Sequence, residues 1–371
     1  MTDDARRSIQ PDPGRRLIIT TMRDEAPFVL EWIAYHRLIG FTDFLVYSND
    51  CTDGTDLLLD RLQQLGVLAH EPNPRTGRKA VQWRALSRAR NHPLYRAAGW
   101  VMVADVDEFL TIHAGDGRLE DLFAAAPGAG GFVVTWRMFG SSGRLKFEPG
   151  LVMDQFVRAA PDGMLWPLRA SQVKTLFRAS ARLHRLGVHR PQWHGDGAGG
   201  DGWVDGNGRP VRPDVPAFNI GSGPKYGLAQ INHYALGSAE SFLVKAARGR
   251  PNHMDVAIGL DYWVERNFNA VEDRSILRHR DGVQAAVADL LSDPVVRDLH
   301  EAGIAHRRAR IDALLRDHDV FRLFSLLAQS PDTPVLPADV QIALCRLRRH
   351  APPRPAGQAD RPGRSAPDVQ P

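Results

Sequence analysis

The sequence contains little cysteine and no long apolar run. Cys51 and Cys345 are the two cysteines among 371 residues, and their separation excludes both a metal-ligand motif and a disulfide framework. Such usage is typical of a reduced compartment. No segment approaches the ~20 apolar residues of a membrane-spanning helix, and residues 1–16 lack the apolar stretch of a signal peptide. The sequence therefore predicts a cytoplasmic protein.

A strong charge of either sign is also absent, because 47 basic and 43 acidic residues leave a net charge of +4. Domains that bind nucleic acid usually carry a stronger and more localised basic face, so no nucleic-acid partner is expected. Residues 351–371 are dominated by Pro, Arg, Gly and Asp and have almost nothing to bury. They predict a disordered basic tail that contacts an anionic membrane surface peripherally.

Strand-like and helix-like segments alternate in the first half of the chain. Apolar or β-branched runs at 17–21, 43–47, 67–70 and 100–104 are separated by segments whose apolar residues have helical spacing. This alternation predicts parallel βαβ units, and hence an α/β fold with a Rossmann-like, mostly parallel sheet flanked by helices.

The composition also divides the chain into regions. We expect residues 1–14 to be disordered, 15–255 to form the α/β domain and 256–350 to form a helical C-terminal appendage. Seven glycines among residues 194–209 predict a long flexible insertion.

Three polar clusters follow predicted strands, at 23–25, 49–55 and 105–108. Ligands of α/β sheets bind in the crevice at the carboxyl ends of the strands, so the clusters are expected to converge there. Asp105 and Asp107 are alternate residues of a segment read as extended, and both carboxylates are expected to face the crevice. Paired carboxylates suit Mn²⁺ or Mg²⁺, which bridges them to a diphosphate and neutralises its charge as it leaves.

A predicted helix at 238–248 carries two further basic candidates. Lys245 and Arg248 are three residues apart and share a helix face, so both are expected to reach a phosphate.

The same motifs, taken in order, resemble glycosyltransferases of the family 2 type, and most closely the bacterial branch related to glycosyltransferase family 92. The resemblance covers residues 16–250. It is carried by Thr20-Thr21-Met22-Arg23-Asp24-Glu25, Glu31-Trp32, His36, Gly40, Asn49, Thr52-Asp53-Gly54-Thr55, Asp105-Val106-Asp107-Glu108-Phe109, Phe139-Gly140-Ser141-Ser142-Gly143, His233-Tyr234, Ser238, Phe242 and Lys245.

The resemblance implies a GT-A fold and an inverting transfer from a nucleotide-sugar to a saccharide or glycoconjugate acceptor. A UDP-sugar is the expected donor, although Cys51 stands where the family usually has Ser, which leaves the nucleotide open. The implied donor-binding residues are Arg23, Glu25, Asn49, Asp50, Asp53 and Asp105, together with Lys245 and Arg248. The implied metal ligands are Asp105, Asp107 and His233.

An inverting transfer needs a base to deprotonate the acceptor hydroxyl, and a carboxylate is the usual choice. Glu148, Asp154 and Asp196 are the candidates, and Asp154 is preferred because an acid before Phe156 is similar to the related branch. Three aromatic residues are candidates for an apolar platform under a sugar ring: Trp136, Phe139 and Trp166.

Two alternatives remain open at this point. A non-catalytic module of the same fold would bind a nucleotide or glycan without turnover. A phosphotransferase of the haloacid-dehalogenase type would use Asp105 as a nucleophile, but that chemistry usually places the nucleophile on an early strand, whereas two βαβ-like units precede Asp105 here.

Overall fold

The computed structural model describes residues 12–76, 80–179, 183–193, 202–211, 223–248 and 258–350. The strands are β1 (Asp12–Met22), β2 (Asp43–Ser48), β3 (Ala69–Pro72), β4 (Ala98–Val103), β5 (Glu108–Ile112), β6 (Gly131–Met138), β7 (Arg158–Ala159), β8 (Val173–Arg178), β9 (Leu183–Arg185), β10 (Gln192–Trp193), β11 (Trp203–Asp205), β12 (Ala229–His233) and β13 (Val271–Glu272).

The α-helices are α1 (Val29–Leu38), α2 (Thr55–Gln64), α3 (Val81–Ala89), α4 (Pro93–Ala97), α5 (Leu119–Ala125), α6 (Val152–Gln155), α7 (Ala239–Arg248), α8 (Leu260–Val264), α9 (Arg280–Leu290), α10 (Pro294–Leu314), α11 (His318–Ala328) and α12 (Ala338–His350). Short 3₁₀ helices span Leu168–Ser171 and Ser275–His279. Among the described residues, no helix combines the length and apolar character needed to cross a membrane.

The central sheet has the strand order β3-β2-β1-β4-β8-β6-β12-β5, with β11 beside β6. The pairs within β3-β2-β1-β4 are parallel, and so are the pairs of β6 with β11 and β12. β8 runs antiparallel to both β4 and β6, and β5 runs antiparallel to β12. The predicted fold class, an α/β protein with a mostly parallel sheet flanked by helices, is confirmed. The antiparallel placement of β8 depends on long-range pairing and was not predicted.

Strand β1 lies in the middle of the parallel half of the sheet. Leu17, Ile18 and Ile19 are fully buried, with Ile18 packing into one hydrophobic core and its two neighbours into the other. A strand covered on both faces reads as a continuous apolar run, which is why its sequence does not alternate.

Two expectations about irregular regions are corrected. β1 begins at Asp12, so residues 12–14 belong to the sheet rather than to a disordered segment. Within the predicted flexible insertion, Trp203–Asp205 forms β11, and Trp203 is 3% exposed. Its ring packs against Gly131, where an added Cβ would come within 2.9 Å of it. Residues 194–201 and the tail at 351–371 lie outside the described residues.

The C-terminal helices pack directly on the sheet domain, with α9 against α1 and α10 against α2 and α7. Helix α10 begins where the Asp293 carboxylate accepts hydrogen bonds from the backbone N–H groups of Val295 and Val296. The same carboxylate pairs with Arg61 of α2 at 2.6 Å. One turn of α10 approaches the loop after β1 so closely that a Cβ at Gly303 would lie 2.4 Å from Ala26 Cβ. The appendage therefore forms part of the wall around that loop.

Candidate functional site

A cleft lies at the carboxyl ends of β1, β2 and β4, which are neighbours in the sheet. It holds about 1670 Å³ of empty space, including open solvent at its mouth. Parallel strands deliver their carboxyl ends to one edge, so residues distant in sequence meet there. The predicted site residues that line the cleft are Arg23, Glu25, Asn49, Asp50, Asp105, Asp107, His233, Lys245 and Arg248.

The loops after β1 and β2 are fixed by hydrogen bonds between them. Asp24 Oδ1 accepts a hydrogen bond from the Thr52 backbone N–H at 2.6 Å. Asp53 Oδ2 accepts one from the Ala26 N–H at 3.0 Å, and its Oδ1 accepts two from Thr55. Asp53 is buried and does not line the cleft. Its carboxylate holds the two loops together, which is a structural role in place of the predicted donor-binding role.

Asp105 and Asp107 stand in a turn, and the premise that they belong to an extended segment is wrong. The Glu108 N–H donates to Asp105 O at 3.0 Å, and the Asp105 N–H donates to Glu108 Oε2 at 2.9 Å. The chain turns here because β4 and β5 pair with different strands. Both side chains nevertheless line the cleft.

Lys174 of β8 is a buried partner of this turn that the sequence analysis missed. Its Nζ lies 3.0 Å from Asp105 Oδ2 and 2.9 Å from Glu108 Oε2, and both Lys174 and Glu108 are fully buried. Burial raises the pKa of Glu108 to about 8, although Lys174 opposes that shift. Gln82 Nε2 donates to the other Asp105 oxygen at 3.0 Å. The feature of the sequence that could have identified this partner is a single lysine inside a largely apolar strand.

Asp107 faces two different partners. Lys245 Nζ donates to Asp107 Oδ2 at 2.7 Å and to the Ala235 carbonyl at 2.7 Å. His233 Nε2 lies 3.8 Å from Asp107 Oδ1. Burial alone would raise the pKa of the Asp107 carboxyl, but the charge of Lys245 holds that pKa well below its usual range. Asp107 is therefore a half-buried anion at the cleft wall.

Arg248 extends the same wall. Its Nη2 lies 2.5 Å from Glu25 Oε1, and its Nη1 donates to the Arg23 carbonyl. Burial raises the pKa of Glu25, and the charge of Arg248 opposes this. Lys245 and Arg248 lie on one face of α7, as their spacing indicated, and both line the cleft.

The predicted three-ligand metal site is not assembled. Among the described residues, no group of three His, Cys, Asp or Glu side chains is arranged to hold a metal ion. The reason is that both oxygens of Asp105 are directed at Lys174 and Gln82.

Asp107 and His233 alone retain the features of a ligand pair. Burial lowers the pKa of His233 to about 3, so its imidazole is neutral, and its buried Nδ1 has no hydrogen-bond partner. A separation of 3.8 Å is too long for a hydrogen bond. Two atoms that each lie about 2.1 Å from one octahedral or tetrahedral ion are roughly 3.0 to 3.4 Å apart, so the pair would close slightly on a bound ion.

Asp154 does not reach the cleft. Its carboxylate is bound by Arg280 Nε at 2.8 and 3.1 Å, and it lines neither the cleft nor the cavity beside it. The backbone of α6 is fixed by Glu31, which accepts the N–H groups of Val152 and Met153. Asp154 is therefore held away from a sugar in the cleft, which contradicts the predicted role as base.

The remaining candidates for the sugar platform and for the base lie in different parts of the structure. Trp136 lines the cleft, with its ring centroid 4.1 Å from that of His233. Phe139 is 1% exposed and packs in the core, and Trp166 does not line the cleft. Glu148 pairs with Arg144 and lines the cavity beside the cleft, and Asp196 lies outside the described residues.

Several cleft residues carry no sequence signal because they come from loops and short helices without a motif. They are Arg75, Gln82, Arg169, Gln172, His189, Tyr262 and Arg266. With Arg23, Lys245 and Arg248, the arginines among them give the cleft six basic side chains against four carboxylates. Such a lining suits an anionic ligand.

Comparison with known proteins relates part of the chain, including the loops after β1, β2 and β4, to a known family. Residues 19–189 match the family model described as Glycosyltransferase family 92. A glycosyltransferase family 92 protein of Oryza sativa subsp. japonica is 29% identical over 134 residues, which are 35% of this chain and 22% of that protein. One of Ricinus communis is 30% identical over 154 residues, 38% of this chain and 26% of that protein. The matched segments thus span about a quarter of these relatives.

Solved structures give a weaker similarity. Staphylococcus aureus TarS, residues 1–349 in complex with UDP, shares 15% identity with a TM-score of 0.27, covering 44% of this chain and 47% of that one. These values are too low to support a conclusion about this chain. The family model and the curated relatives agree, and they confirm the resemblance predicted from the motifs: the chain contains a domain related to glycosyltransferase family 92.

Proposed function

We propose that this protein is a glycosyltransferase that transfers a sugar, with inversion, from a nucleotide-sugar to a glycan or glycoconjugate acceptor. One observation carries the proposal: Asp107, His233, Lys245 and Arg248 meet at one wall of a basic cleft in a family 92-related domain. The transfer breaks the bond between the anomeric carbon and the donor diphosphate, so the site must stabilise a leaving diphosphate.

Lys245 and Arg248 are proposed to bind that diphosphate. Both are already paired with carboxylates at the wall, Lys245 with Asp107 and Arg248 with Glu25, which holds their side chains in place before the ligand arrives. Each has donors beyond the one used in its ion pair. Arg23, Asn49 and Asp50 are proposed to contact the nucleoside, because they line the part of the cleft formed by the loops after β1 and β2.

Asp107 and His233 would hold Mn²⁺ or Mg²⁺, with oxygens of the diphosphate and water completing the ligand set. The bound ion would neutralise charge on the leaving diphosphate. Asp105 is proposed to have a structural role at the site, because its two carboxylate oxygens accept hydrogen bonds from Lys174 and Gln82.

Glu25 is proposed as the base in place of Asp154. It lines both the cleft and the neighbouring cavity, which is where an acceptor hydroxyl would approach the anomeric carbon. Burial raises its pKa, which favours accepting a proton near neutral pH. The proton of the acceptor hydroxyl would pass to the Glu25 carboxylate as the oxygen attacks.

Calorimetric titration tests the donor site. UDP, GDP, CDP and dTDP would each be titrated with and without Mn²⁺ into the wild-type chain, Asp107→Ala and the exposed control Asp116→Ala. We expect one nucleotide to bind in a metal-dependent way, with binding lost in Asp107→Ala and kept in the control. A folded protein that binds none of them would contradict the proposal.

Turnover separates the enzyme from a binding module. The nucleotide-sugar of the nucleotide that binds would be incubated with a panel of saccharide acceptors, and the glycosylated product would be detected by mass spectrometry. Nucleotide binding without product would favour the binding module. Hydrolysis of a simple phosphate ester by a protein that binds no nucleotide would favour a phosphotransferase.

A further inference from the structure

A second cavity adjoins the cleft on the far side of the Asp107 wall. Glu25, Val106, Asp107, Lys245 and Arg248 line both spaces. The remaining lining of the second cavity is mostly apolar and includes Phe28, Phe109, Phe147, Phe156, Tyr234 and Leu236. A group in this cavity would therefore lie against aromatic rings on one side and against the diphosphate-binding wall on the other.

Arg307 of α10 enters this apolar lining. Arg307 is buried, with 7% of its surface exposed. Its guanidinium lies over the rings of Phe28 and Phe147, with Cζ 4.8 and 5.3 Å from the two ring centroids. Nη2 donates a 3.3 Å hydrogen bond to the Ser241 carbonyl, and the buried Nε has no partner. The close contact of Gly303 with Ala26, one helical turn earlier, brings this part of α10 to the cavity.

The charges at the wall leave Arg307 without a carboxylate of its own. Glu25 is paired with Arg248 and Asp107 with Lys245. The third carboxylate of this cavity, Glu148, is paired with Arg144. Among the ion pairs of the described residues, none includes Arg307. Burying a cation without a carboxylate to balance its charge costs several kcal/mol. Burial also lowers the pKa of Arg307 to about 10, which leaves it charged at neutral pH.

We propose that the second cavity receives the acceptor, and that Arg307 binds an anionic group, a carboxylate or a phosphate, next to an apolar portion of that acceptor. This rests on the proposed glycosyltransferase function and specifies its acceptor class. A planar guanidinium with free donors matches both anions in a bidentate fashion. The aromatic rings would contact the apolar portion, such as the C–H face of a sugar ring.

Small probes test the proposal without knowledge of the natural acceptor. Benzoate, phenyl phosphate and the neutral benzyl alcohol would be titrated into the full chain by NMR, with UDP and Mg²⁺ in excess so that the diphosphate site is occupied. Mg²⁺ replaces Mn²⁺ in these titrations, because paramagnetic Mn²⁺ would broaden the NMR signals of the probes and of Arg307. We expect at least one anion to bind about tenfold more tightly than the alcohol. The tighter of the two anions indicates whether the acceptor carries a carboxylate or a phosphate.

Three variants assign the effect to Arg307. The preference for an anion should disappear in Arg307→Gln and persist, weakened, in Arg307→Lys. It should be unchanged in Arg308→Gln, which alters an exposed arginine on the same helix. Equal binding of all three probes to the wild type, or an equal loss in Arg308→Gln, would overturn the proposal.

If Arg307→Gln does not fold, an NMR resonance of Arg307 in the wild-type chain provides a second test. The Nε–H resonance of Arg307, assigned by its absence in Arg307→Lys, should shift with the anionic probe and not with benzyl alcohol. No shift with a bound anion would also overturn the proposal. Failure of UDP to bind would contradict the donor site alone, because the probe titrations can be repeated without nucleotide.

Discussion

Lys245 Nζ lies 2.7 Å from Asp107 Oδ2, so the lysine assigned to the donor phosphate and the carboxylate assigned to the metal form one ion pair. Both side chains are held in place by this contact, and Lys245 is fixed further by the Ala235 carbonyl. The two proposed functions are therefore coupled, and a change in either residue alters the charge that a diphosphate meets.

Lys245→Met should weaken the binding of a nucleoside diphosphate and leave that of the nucleoside unchanged. The variant removes a charge-assisted hydrogen bond, which corresponds to a loss of about 10- to 100-fold in affinity. Calorimetry with UDP and with uridine measures the two effects separately. Lys146→Met, at an exposed position, is the matched control. Equal losses for UDP and uridine would show that Lys245 acts on the fold and not on the diphosphate.

Glu25→Gln should abolish most of the transfer activity while nucleotide binding is retained. Loss of a general base lowers the rate about 10²- to 10⁴-fold. Product formation at saturating donor and the Kd of the nucleotide provide the two readouts. Asp154→Asn changes the carboxylate paired with Arg280, which lines neither the cleft nor the second cavity, and should remain active. A large loss in Asp154→Asn alone would restore Asp154 as the base.

Lys174→Met should destabilise the fold, because it removes the buried cation that Asp105 and Glu108 share. Removal of one partner from a buried ion pair costs about 3 to 5 kcal/mol. Urea unfolding at pH 7 measures the change. The double variant Lys174→Met/Glu108→Gln removes both charges and should recover part of the loss. A double variant less stable than Lys174→Met would contradict this account.

His36 should make the protein sensitive to acid. Its ring is buried, with Nδ1 at 2.9 Å from the Trp32 carbonyl, and burial lowers its pKa from 6.5 to about 3. Between these values the unfolded chain binds the proton and the native chain does not, so stability falls as pH drops below 6.5. The contribution lost between pH 6.5 and 5 is about 2 kcal/mol.

The free energy of unfolding at pH 5 and pH 7 tests this dependence. His36→Gln should show a smaller difference between the two pH values than the wild type, whatever its absolute stability. His306→Gln, at an exposed position, should keep the wild-type difference. An unchanged pH dependence in His36→Gln would show that other groups cause the acid sensitivity.

The sequence by itself determined the parallel half of the sheet. Leu17, Ile18 and Ile19 form an apolar run because β1 is covered on both faces, and such a run is visible without coordinates. The carboxyl ends of adjacent parallel strands must share an edge, so the convergence of Glu25, Asp50 and Asp107 at one cleft also followed from the order of strands and helices. The ordered motifs, in turn, indicated family 92.

Only the tertiary structure decided which partner each charged side chain has. Asp105 and Asp107 were alike in the sequence, yet Lys174 from β8 binds one and Lys245 from α7 binds the other. The sequence does not distinguish Arg307 from the other arginines of α10, and only the packing of the helix shows that Arg307 is buried and lines the second cavity. Local patterns specify strands and helices, because those depend on neighbouring residues. Lys174 and Asp105 are 69 positions apart in the sequence, and Lys245 and Asp107 are 138 positions apart. Such ion pairs depend on how distant elements pack, so no local sequence pattern predicts them.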